Sequence, residues 1–555
     1  MKSQLMKSKI ALILILLSAY FIRVFGVNWD QGFHLHPDER MLIMVADKIS
    51  FFKNLNPDFF NYGSLPIYLL KGLSQLLDLI FRSGLATYAG MLDVGRKLSI
   101  MFDMATMFLI YKITRIFFKE NKVALFSVLF YSISFFPIQN SHFFVVDVLL
   151  NTLITGLIYI LLIYLKLPSL KKIVFLGLIF AAMMATKFTA IIFLPIILSV
   201  IVLKTMKPTF AKATVGKQLS NIVISLIIFN FSFLTFHFLF MPYAYIEYAR
   251  FIIDIKAQLK MNSDPYIFPY TLQYVDSLPY LYYLKNIFMW GLGPVISILS
   301  IIGLYQISKI KYQSFISNIK KNKYFIFDLS FLFFIFYLLY FLVIGQSSVK
   351  FMRYMLPLYP LFAILAGYGF YQIYKLSKNY SYMIILSCLV WTFMFINIYA
   401  FPHTRISATD WILKNIPRGS TLGVEHWDDR LPIHGSENYY YEELTIYELP
   451  DDKVKWQMLN EELKKTDYII IASNRLYIPL PKLSDCKKHR SCYPETAKYY
   501  QKLFEDKLSF KKMIEFSDYP RIEIGNWKFE INDDLADESF TVYDHPKIFI
   551  FKRVN

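Results

Sequence analysis

The sequence predicts a mostly helical membrane protein that crosses the bilayer many times and ends in a small α/β domain. Apolar residues make up 56% of the 555 residues, and only 18% are charged, whereas a soluble chain usually carries about a quarter charged residues. Long apolar runs recur over residues 1–400, and a polar composition begins near residue 401. We therefore expect a transmembrane domain at 1–400 and an α/β domain at 401–555.

The positive charge of the chain belongs to its membrane half. Residues 1–400 hold 36 Lys and Arg against 15 Asp and Glu, whereas residues 401–555 hold 23 against 26. The basic residues stand in short loops between apolar runs and do not form one basic face, so we expect membrane lipids and no nucleic acid as partners.

Eleven apolar runs are long enough to be membrane spans, since about 20 apolar residues cross the hydrocarbon core. Residues 172–204 form one almost continuous run that is too long for a single span. Lysines flank both of its ends, so we expect two spans that turn near Lys187. The predicted spans are 9–27, 97–117, 122–139, 143–165, 172–186, 188–204, 219–240, 286–307, 325–345, 354–374 and 380–400.

The lysines predict the orientation of these spans. With eleven crossings, the loops on one side carry clusters of basic residues that have only the acids Glu120 and Asp328 near them, which marks that side as cytoplasmic. We therefore expect a plasma (inner) membrane protein with its N-terminus inside and residues 401–555 outside. The predicted inside residues are Lys2, Lys7, Lys9, Arg115, Lys119, Lys122, Lys166, Lys171, Lys172, Lys204, Lys207, Lys212, Lys217, Lys309, Lys311, Lys320, Lys321, Lys323, Lys375 and Lys378.

The predicted outer segments contain further structure. Residues 41–52 and 65–81 are short or charge-interrupted for spans and favour amphipathic helices in the membrane interface, and residues 241–285 form a loop rich in Tyr and Pro. In the tail, Ser407 or Thr409 is predicted to cap a helix through Ile416. Strands are expected at 421–424, 467–472 and 547–551, and helices at 451–465 and 495–507. Cys486 and Cys492 are either a small disulfide or two free thiols, and Cys388 is expected to be packing.

Three outer carboxylates are the candidate catalytic groups. Asp38 and its neighbour Glu39 follow the first span directly, and Asp147 stands at the outer start of the fourth. A carboxylate at a bilayer surface can accept a proton from a hydroxyl or hold a divalent cation beside a phosphate. The structural alternative is that Asp38 and Glu39 only begin an interfacial helix, where acids are favoured.

Several outer cations are candidate phosphate ligands. Arg96 opens the second span, Lys187 stands at the predicted turn, and Lys350 and Arg353 open the tenth span. Tyr354 follows Arg353 directly. Fixed cations that converge on one point stabilise a leaving phosphate, although each of them could instead mark a membrane boundary. His34 and His36 have no defined third partner for a metal, and Asp103 could pair with Arg96 on one helix face.

Short motifs in the same order resemble the GT-C superfamily of polyprenyl-phosphate-sugar glycosyltransferases, especially the bacterial family 39 group related to protein O-mannosyltransferases and aminoarabinose transferases. The resemblance covers about residues 1–375. The motifs are Pro37-Asp38-Glu39-Arg40, Asn-Tyr-Gly-Ser-Leu-Pro-Ile-Tyr at 61–68, Arg96, Ser-His-Phe-Phe-Val-Val-Asp at 141–147, Ala-Thr-Lys-Phe-Thr at 185–189, Gln273-Tyr274, Trp-Gly-Leu-Gly-Pro at 290–294 and Arg-Tyr-Met-Leu-Pro-Leu-Tyr-Pro at 353–360.

The resemblance implies a GT-C transmembrane core and inverting transfer of a hexosyl or pentosyl group from a polyprenyl-phosphate sugar. It implies that Asp38, Glu39 and Asp147 are catalytic, with a divalent cation at Asp38 and Asp147 as an open possibility. Arg96, Lys187, Arg353 and Tyr354 would contact the donor phosphate, and Tyr62, Gln273 and Tyr274 are candidates for acceptor and loop contacts. The tail is similar to tails of homologues whose acceptor is unknown, so a protein, lipid or glycan acceptor stays open.

Two other function classes fit the same composition. A lipid-linked-glycan transporter or flippase would need a polar path through the bilayer. A catalytically silent assembly protein would keep the fold while Asp38 and Asp147 point apart. An enzyme requires these acids and the outer cations to meet in one place.

Overall fold

The structure, a computed structural model, describes residues 2–51, 53–205, 212–320 and 329–554 and confirms a mostly helical chain with a small C-terminal sheet. The predicted inside residues Lys207, Lys321 and Lys323, and the start of the span predicted at 325–345, lie outside the described residues. Seventeen helices precede the tail in this description: α1 (Lys2–Val24), α2 (Pro37–Lys48), α3 (Ser64–Phe81), α4 (Tyr88–Phe117), α5 (Asn121–Ser132), α6 (Phe135–Ser141), α7 (Val146–Lys166), α8 (Leu170–Met184), α9 (Leu194–Thr205), α10 (Lys212–Phe240), α11 (Tyr243–Ile246), α12 (Tyr248–Ser263), α13 (Leu281–Asn286), α14 (Pro294–Lys320), α15 (Leu329–Gly345), α16 (Tyr359–Leu376) and α17 (Lys378–Ile396).

Each predicted span coincides with one of these helices or with a pair of them. Within the described ranges, six helices are long and apolar enough to cross a membrane, or seven if α5 and α6, bent by 59°, form one span; two shorter apolar helices cover Pro294–Ile310 and Phe333–Gly345. The chain is therefore a multi-pass membrane protein. The count of eleven crossings stays a prediction, and α3, which we expected in the interface, is itself among the six.

Two local predictions about the chain path are confirmed. The helix of the run 172–204 is broken at Lys187, because α8 ends at Met184 and a 3-10 helix begins at Phe188. Pro37 stands in the first turn of α2, where its missing N–H is not needed, and His36 caps this helix. Asp38 and Glu39 lie in the first helical turn, as the structural alternative predicts. A position in the first turn still allows both side chains to contact other segments of the chain.

The tail consists of a mixed sheet with helices around it. The sheet order is β2-β1-β3-β7-β4, with β1 parallel to β2 and β3 and with β7 antiparallel to both of its neighbours, while β5 and β6 form a separate hairpin. The elements are α18 (Thr404–Asn415), β1 (Thr421–Glu425), β2 (Tyr440–Leu444), α19 (Lys453–Lys465), β3 (Tyr468–Ile471), α20 (Pro479–Lys482), α21 (Pro494–Phe504), β4 (Phe510–Phe516), β5 (Arg521–Ile524), β6 (Trp527–Glu530), α22 (Glu538–Thr541) and β7 (Ile548–Arg553).

The predicted strands at 421–424, 467–472 and 547–551 correspond to β1, β3 and β7, and the predicted helices to α19 and α21. The predicted cap of the first tail helix is wrong. Ser407 and Thr409 lie inside α18, which begins earlier because the Nδ1 atom of His403 accepts a hydrogen bond from the Arg405 N–H at 3.1 Å. Cys486 and Cys492 form a disulfide, and Cys388 is a buried free thiol.

The tail packs directly on the membrane half. The Phe540 ring contacts Phe135, Phe136 and Phe395. The Gln139 amide of α6 donates hydrogen bonds to the Phe540 carbonyl at 2.7 Å and to Asp544 at 2.9 Å. The boundary predicted at residue 400 therefore separates two compositions, whereas the hydrophobic core is continuous across it.

A buried carboxyl in the tail predicts a pH effect on stability. Glu425 is 4% exposed and accepts a hydrogen bond from the Tyr500 hydroxyl at 2.6 Å. Burial raises its pKa from 4.5 to about 8. Between these values the folded carboxyl keeps a proton that the unfolded one has lost, so stability falls as pH rises, by about 1.4 kcal/mol per pH unit. We expect Glu425→Gln to reduce this loss of stability with rising pH. The measurement is the apparent Tm of the full chain in nanodiscs between pH 4.5 and about pH 8. Curves of Tm against pH that run parallel for the two proteins would contradict the prediction.

Candidate active site

Four side chains that the sequence places far apart come together in one cluster. Asp38 lies in the first turn of α2, Asp147 in the first turn of α7, and Lys187 in the break after α8. Arg353 lies in the 3-10 helix Met352–Leu358, directly before α16. The four groups therefore come from four segments of the chain, and their side chains meet in one place.

The cluster is a chain of alternating charges. The Arg353 Nη2 atom lies 3.0 Å from Asp38 Oδ2, and its Nε atom lies 3.8 Å from Asp147 Oδ2. The Lys187 Nζ atom lies 2.7 Å from Asp147 Oδ1. Asp147 is therefore shared by both cations and is only 4% exposed, whereas Asp38 pairs with Arg353 alone among the residues that the structure describes and is 25% exposed. Asp38 is the more accessible acid.

Aromatic side chains surround these charges. The Lys187 ammonium lies 4.4 Å from the centre of the Tyr354 ring, and the Arg353 Nη1 atom donates to the Tyr543 hydroxyl at 3.3 Å. Tyr62 lies close enough for Asp38, Arg353 and Asp147 to act on its hydroxyl. A cation beside an aromatic ring in a poorly hydrated site is held in place by the ring quadrupole and attracts anions more strongly than it does in water.

Glu39 and Arg96 form a second, separate ion network. Arg96 is 2% exposed and contacts Glu39, Asp30 and the Val27 carbonyl through five N–H contacts of 2.7–3.0 Å. In this arrangement the guanidinium has no N–H left for a phosphate. Glu39 also accepts the Phe144 N–H at 2.9 Å. The network therefore joins the first loop to α4 and to the chain just before Asp147.

The remaining candidates lie around the cluster or away from it. Gln273 bonds Glu538 of the tail, and Tyr274 packs behind Arg353 through the Phe351 ring. His34 stacks on Tyr88, and His36 caps α2 and stacks on Tyr543. Lys350 is buried and donates to the Ser348 carbonyl. Asp103 pairs with Arg23 at 2.6 Å and not with Arg96.

The sequence-based prediction missed the residues that the tail contributes. Tyr543 contacts Arg353, and Arg475 binds Glu538 at 2.6 Å while its guanidinium lies over the Tyr270 ring. The charges of Arg475 and Glu538 act on the Tyr543 hydroxyl together with Asp38. Tyr543 lies in the polar tail within the sequence Ser-Phe-Thr-Val-Tyr-Asp-His-Pro-Lys at 539–547, which gives no indication that this side chain meets Arg353.

The donor set of the cluster does not fit a divalent cation. Asp38 and Asp147 already face two fixed cations, so their negative charges are compensated, and each is held by an ion pair. Among the residues that the structure describes, no group of three or more His, Cys, Asp or Glu side chains has the arrangement of a metal site. No step is therefore assigned to a metal.

Several solved glycosyltransferase structures match the chain at low sequence identity. The oligosaccharyltransferase of Archaeoglobus fulgidus, solved with zinc and sulfate, has 13% identity and a TM-score of 0.47, with 87% of this chain and 71% of that chain covered. ArnT from Cupriavidus metallidurans, bound to undecaprenyl phosphate, has 12% identity and a TM-score of 0.47, with 85% and 94% covered. Arabinofuranosyltransferase AftD from Mycobacteria has 11% identity and a TM-score of 0.30, with 99% and 41% covered.

No curated protein matches the chain by sequence. A family model does match it: residues 89–233 match the family described as dolichyl-phosphate-mannose-protein mannosyltransferase. The matched segment contains Arg96, Asp147 and Lys187. Residues 89–233 are therefore similar to this mannosyltransferase family, in agreement with the resemblance to polyprenyl-phosphate-sugar glycosyltransferases.

Proposed function

We propose that the protein is a membrane glycosyltransferase that moves a sugar from a polyprenyl-phosphate donor to an acceptor outside the cytoplasm, with inversion. The observation that carries the proposal is the meeting of Asp38, Asp147, Lys187 and Arg353 in one ion network. Two of the four lie in the segment that matches the mannosyltransferase family. A catalytically silent assembly protein would not need Asp38 and Asp147 to face the same cation, Arg353.

The two acids of the network have different roles in this proposal. Asp38 is the catalytic base, because it is the more exposed acid and has one ionic partner. Asp147 is a positioning residue, because it is buried and holds both Lys187 and Arg353. Tyr354, which follows Arg353 in the same 3-10 helix, and Tyr62, from the chain just before α3, border the same space. Glu39 and Arg96 act at a distance, since they fix the loop that carries Asp38.

Charge balance links proton transfer to phosphate departure. The acceptor hydroxyl attacks the anomeric carbon from the side opposite the phosphate, its proton passes to an Asp38 oxygen, and the bond between the anomeric carbon and the phosphate oxygen breaks. Protonation of Asp38 removes the nearer of the two negative charges that Arg353 faces. The guanidinium is then available to the polyprenyl phosphate as its negative charge develops, together with Lys187. The network thus supplies positive charge when the leaving group needs it.

The proposal is tested by transfer of a radiolabelled sugar. The full chain in nanodiscs, given labelled undecaprenyl-phosphomannose and a membrane extract as the acceptor source, should move label out of the lipid donor and release undecaprenyl phosphate. Other polyprenyl-phosphate sugars are tried in the same way, because the sugar is open between hexose and pentose. Movement of intact lipid-linked sugar between leaflets without release of undecaprenyl phosphate would support the flippase alternative.

Contacts between distant loops predict the topology around the site. Arg40 of the first loop contacts Asp429 of the tail at 3.2 Å. Asn56 of the first loop bonds Glu247, and Asp264 of the loop 241–285 pairs with Arg490 of the tail. These contacts support one compartment for the three segments, and the lysine distribution predicts that it is the outer one, with the N-terminus inside a plasma membrane.

We therefore expect thiol probes or reporter fusions at residues 60, 260 and 450 to be accessible from outside, and residue 320 from inside. As a control, the cells are permeabilised. The thiol probe should then also reach residue 320, whereas labelling at residues 60, 260 and 450 should not change. An inside position for residue 450 would contradict the proposal, because the tail and the acids would then occupy opposite sides.

A further inference from the structure

The hairpin of β5 and β6 has one apolar face and one charged face. Its cross-strand pairs are Ile522 with Phe529 and Ile524 with Trp527 on one face, and Arg521 with Glu530 and Glu523 with Lys528 on the other. Side chains alternate between the two faces of a strand, so this pairing makes the hairpin amphipathic over its whole length. A two-residue turn, Gly525-Asn526, closes it, and Gly525 has the positive φ of 58° that such a turn favours.

The apolar face is open to the surroundings. Ile524 is 62% exposed, Trp527 is 71% exposed, and Phe529 is 52% exposed, while the Trp527 and Phe529 rings stack with their planes 11° apart. A two-stranded hairpin is marginally stable in water by itself and needs a surface against which to pack. Three large apolar side chains on a hairpin of this length therefore indicate a contact outside the chain.

The base of the hairpin is fixed where the last predicted span ends. β5 lies against α17 and against the 3-10 turn Asn397–Ala400 that follows it. The Asn397 amide donates to the Arg521 carbonyl at 3.1 Å, and the Arg521 guanidinium lies 3.8 Å from the centre of the Phe401 ring. Phe393, one turn before the end of α17, is 50% exposed. The hairpin is therefore held beside the end of the last predicted span, which exposes the apolar side chain of Phe393.

We propose that this hairpin is a membrane anchor of the tail, with Ile524, Trp527 and Phe529 inserted among the lipid headgroups and upper acyl chains. Trp is enriched at this depth because its ring is apolar and its N–H is polar. The charged face carries ion pairs between Arg521 and Glu523 and between Lys528 and Glu530, and it remains in water. The anchor and the contact of Arg40 with Asp429 hold the tail to the membrane at separate points.

Spin labels on neighbouring residues test the anchor. Trp527→Cys and Lys528→Cys lie on opposite faces of β6, and both positions are exposed, so labelling should leave the fold unchanged. The native cysteines do not compete, since Cys388 is buried and the other two are bonded. Each labelled full-length protein is placed in nanodiscs of phosphatidylcholine and phosphatidylglycerol, and collisions with oxygen, which enters lipid, and with a nickel chelate, which remains in water, are measured.

We expect the ratio of oxygen to nickel collisions to be at least about fivefold higher at residue 527 than at residue 528. Phe529→Cys should give the same lipid-like ratio as residue 527. Equal, water-like ratios at 527 and 528 overturn the proposal. A label at 527 that both reagents fail to reach also overturns it, because protein and not lipid would then cover this face. The readout does not depend on glycosyl transfer.

Discussion

Asp38→Asn is expected to abolish sugar transfer while the protein still folds and binds undecaprenyl phosphate. The amide has nearly the same volume as the carboxylate, but it cannot take a proton from the acceptor hydroxyl. Loss of a general base typically lowers the rate about 10²- to 10⁴-fold. Because Asp38 is partly exposed and pairs with one cation, its neutralisation should disturb the fold less than neutralisation of the buried Asp147, which faces two cations. The measurement is kcat with saturating donor, together with native mass spectrometry of bound undecaprenyl phosphate.

A matched control separates catalysis from a general loss of negative charge. Asp93→Asn removes an acid near the start of α4, where Asp93 pairs with Lys97 and is 48% exposed. We expect this variant to keep full activity. If Asp38→Asn retained activity within about twofold of the unaltered protein, Asp38 would not be the base, and the charge-balance mechanism would fail with it.

Much of the fold is predictable from local patterns. Each predicted span coincides with a helix or helix pair because a membrane span needs a long apolar run, and few other structures produce one. The break at Lys187 is predictable for the same reason, since the run is too long for one crossing and has lysines at both ends. β1, β3 and β7 are short apolar runs in a polar tail and are equally distinct.

The elements that were missed depend on tertiary contacts. β4, with the sequence Phe-Lys-Lys-Met-Ile-Glu-Phe, is mostly exposed and becomes a strand because it pairs with β7. β5 and β6 carry a charge at every second position, and their structure depends on each other and on the end of α17. The start of α18 was missed because the cap is a histidine ring, and Ser or Thr is the usual signal.

The candidate site was also predicted only in part from the sequence. Resemblance to a family identified Asp38, Asp147, Lys187 and Arg353, and the structure brings these four together. Arg96 does not join this cluster, because its guanidinium pairs with Asp30 and Glu39. From sequence, Arg96 and Arg353 have the same signal, a cation at the outer start of a span. Tyr543 lies 190 positions from Arg353, and only the docking of the tail places it there.

Lys187→Ala and Arg353→Ala are expected to weaken use of the donor more than use of the acceptor. Both cations lie where the polyprenyl phosphate would leave, and a charge-assisted contact to phosphate contributes roughly 1.5–3 kcal/mol, or about 10- to 150-fold. The measurement is donor KM at saturating acceptor. Lys97→Ala is the matched control, since Lys97 is a 63% exposed cation near the start of α4 and should leave donor KM unchanged.

The two variants should differ in kcat. Within the described part of the chain, the Lys187 ammonium contacts Asp147 and the Tyr354 ring but not Asp38, so its loss should raise donor KM with a smaller effect on kcat. Arg353 joins both acids, so Arg353→Ala should also lower kcat, because Asp38 loses the cation that its protonation releases to the phosphate. Arg353→Lys keeps one charge but cannot reach both acids with separate N–H groups, and it should recover part of the donor affinity and less of the rate. If donor KM were unchanged in both alanine variants, the cations would serve only to hold Asp147, and the phosphate would have to bind elsewhere.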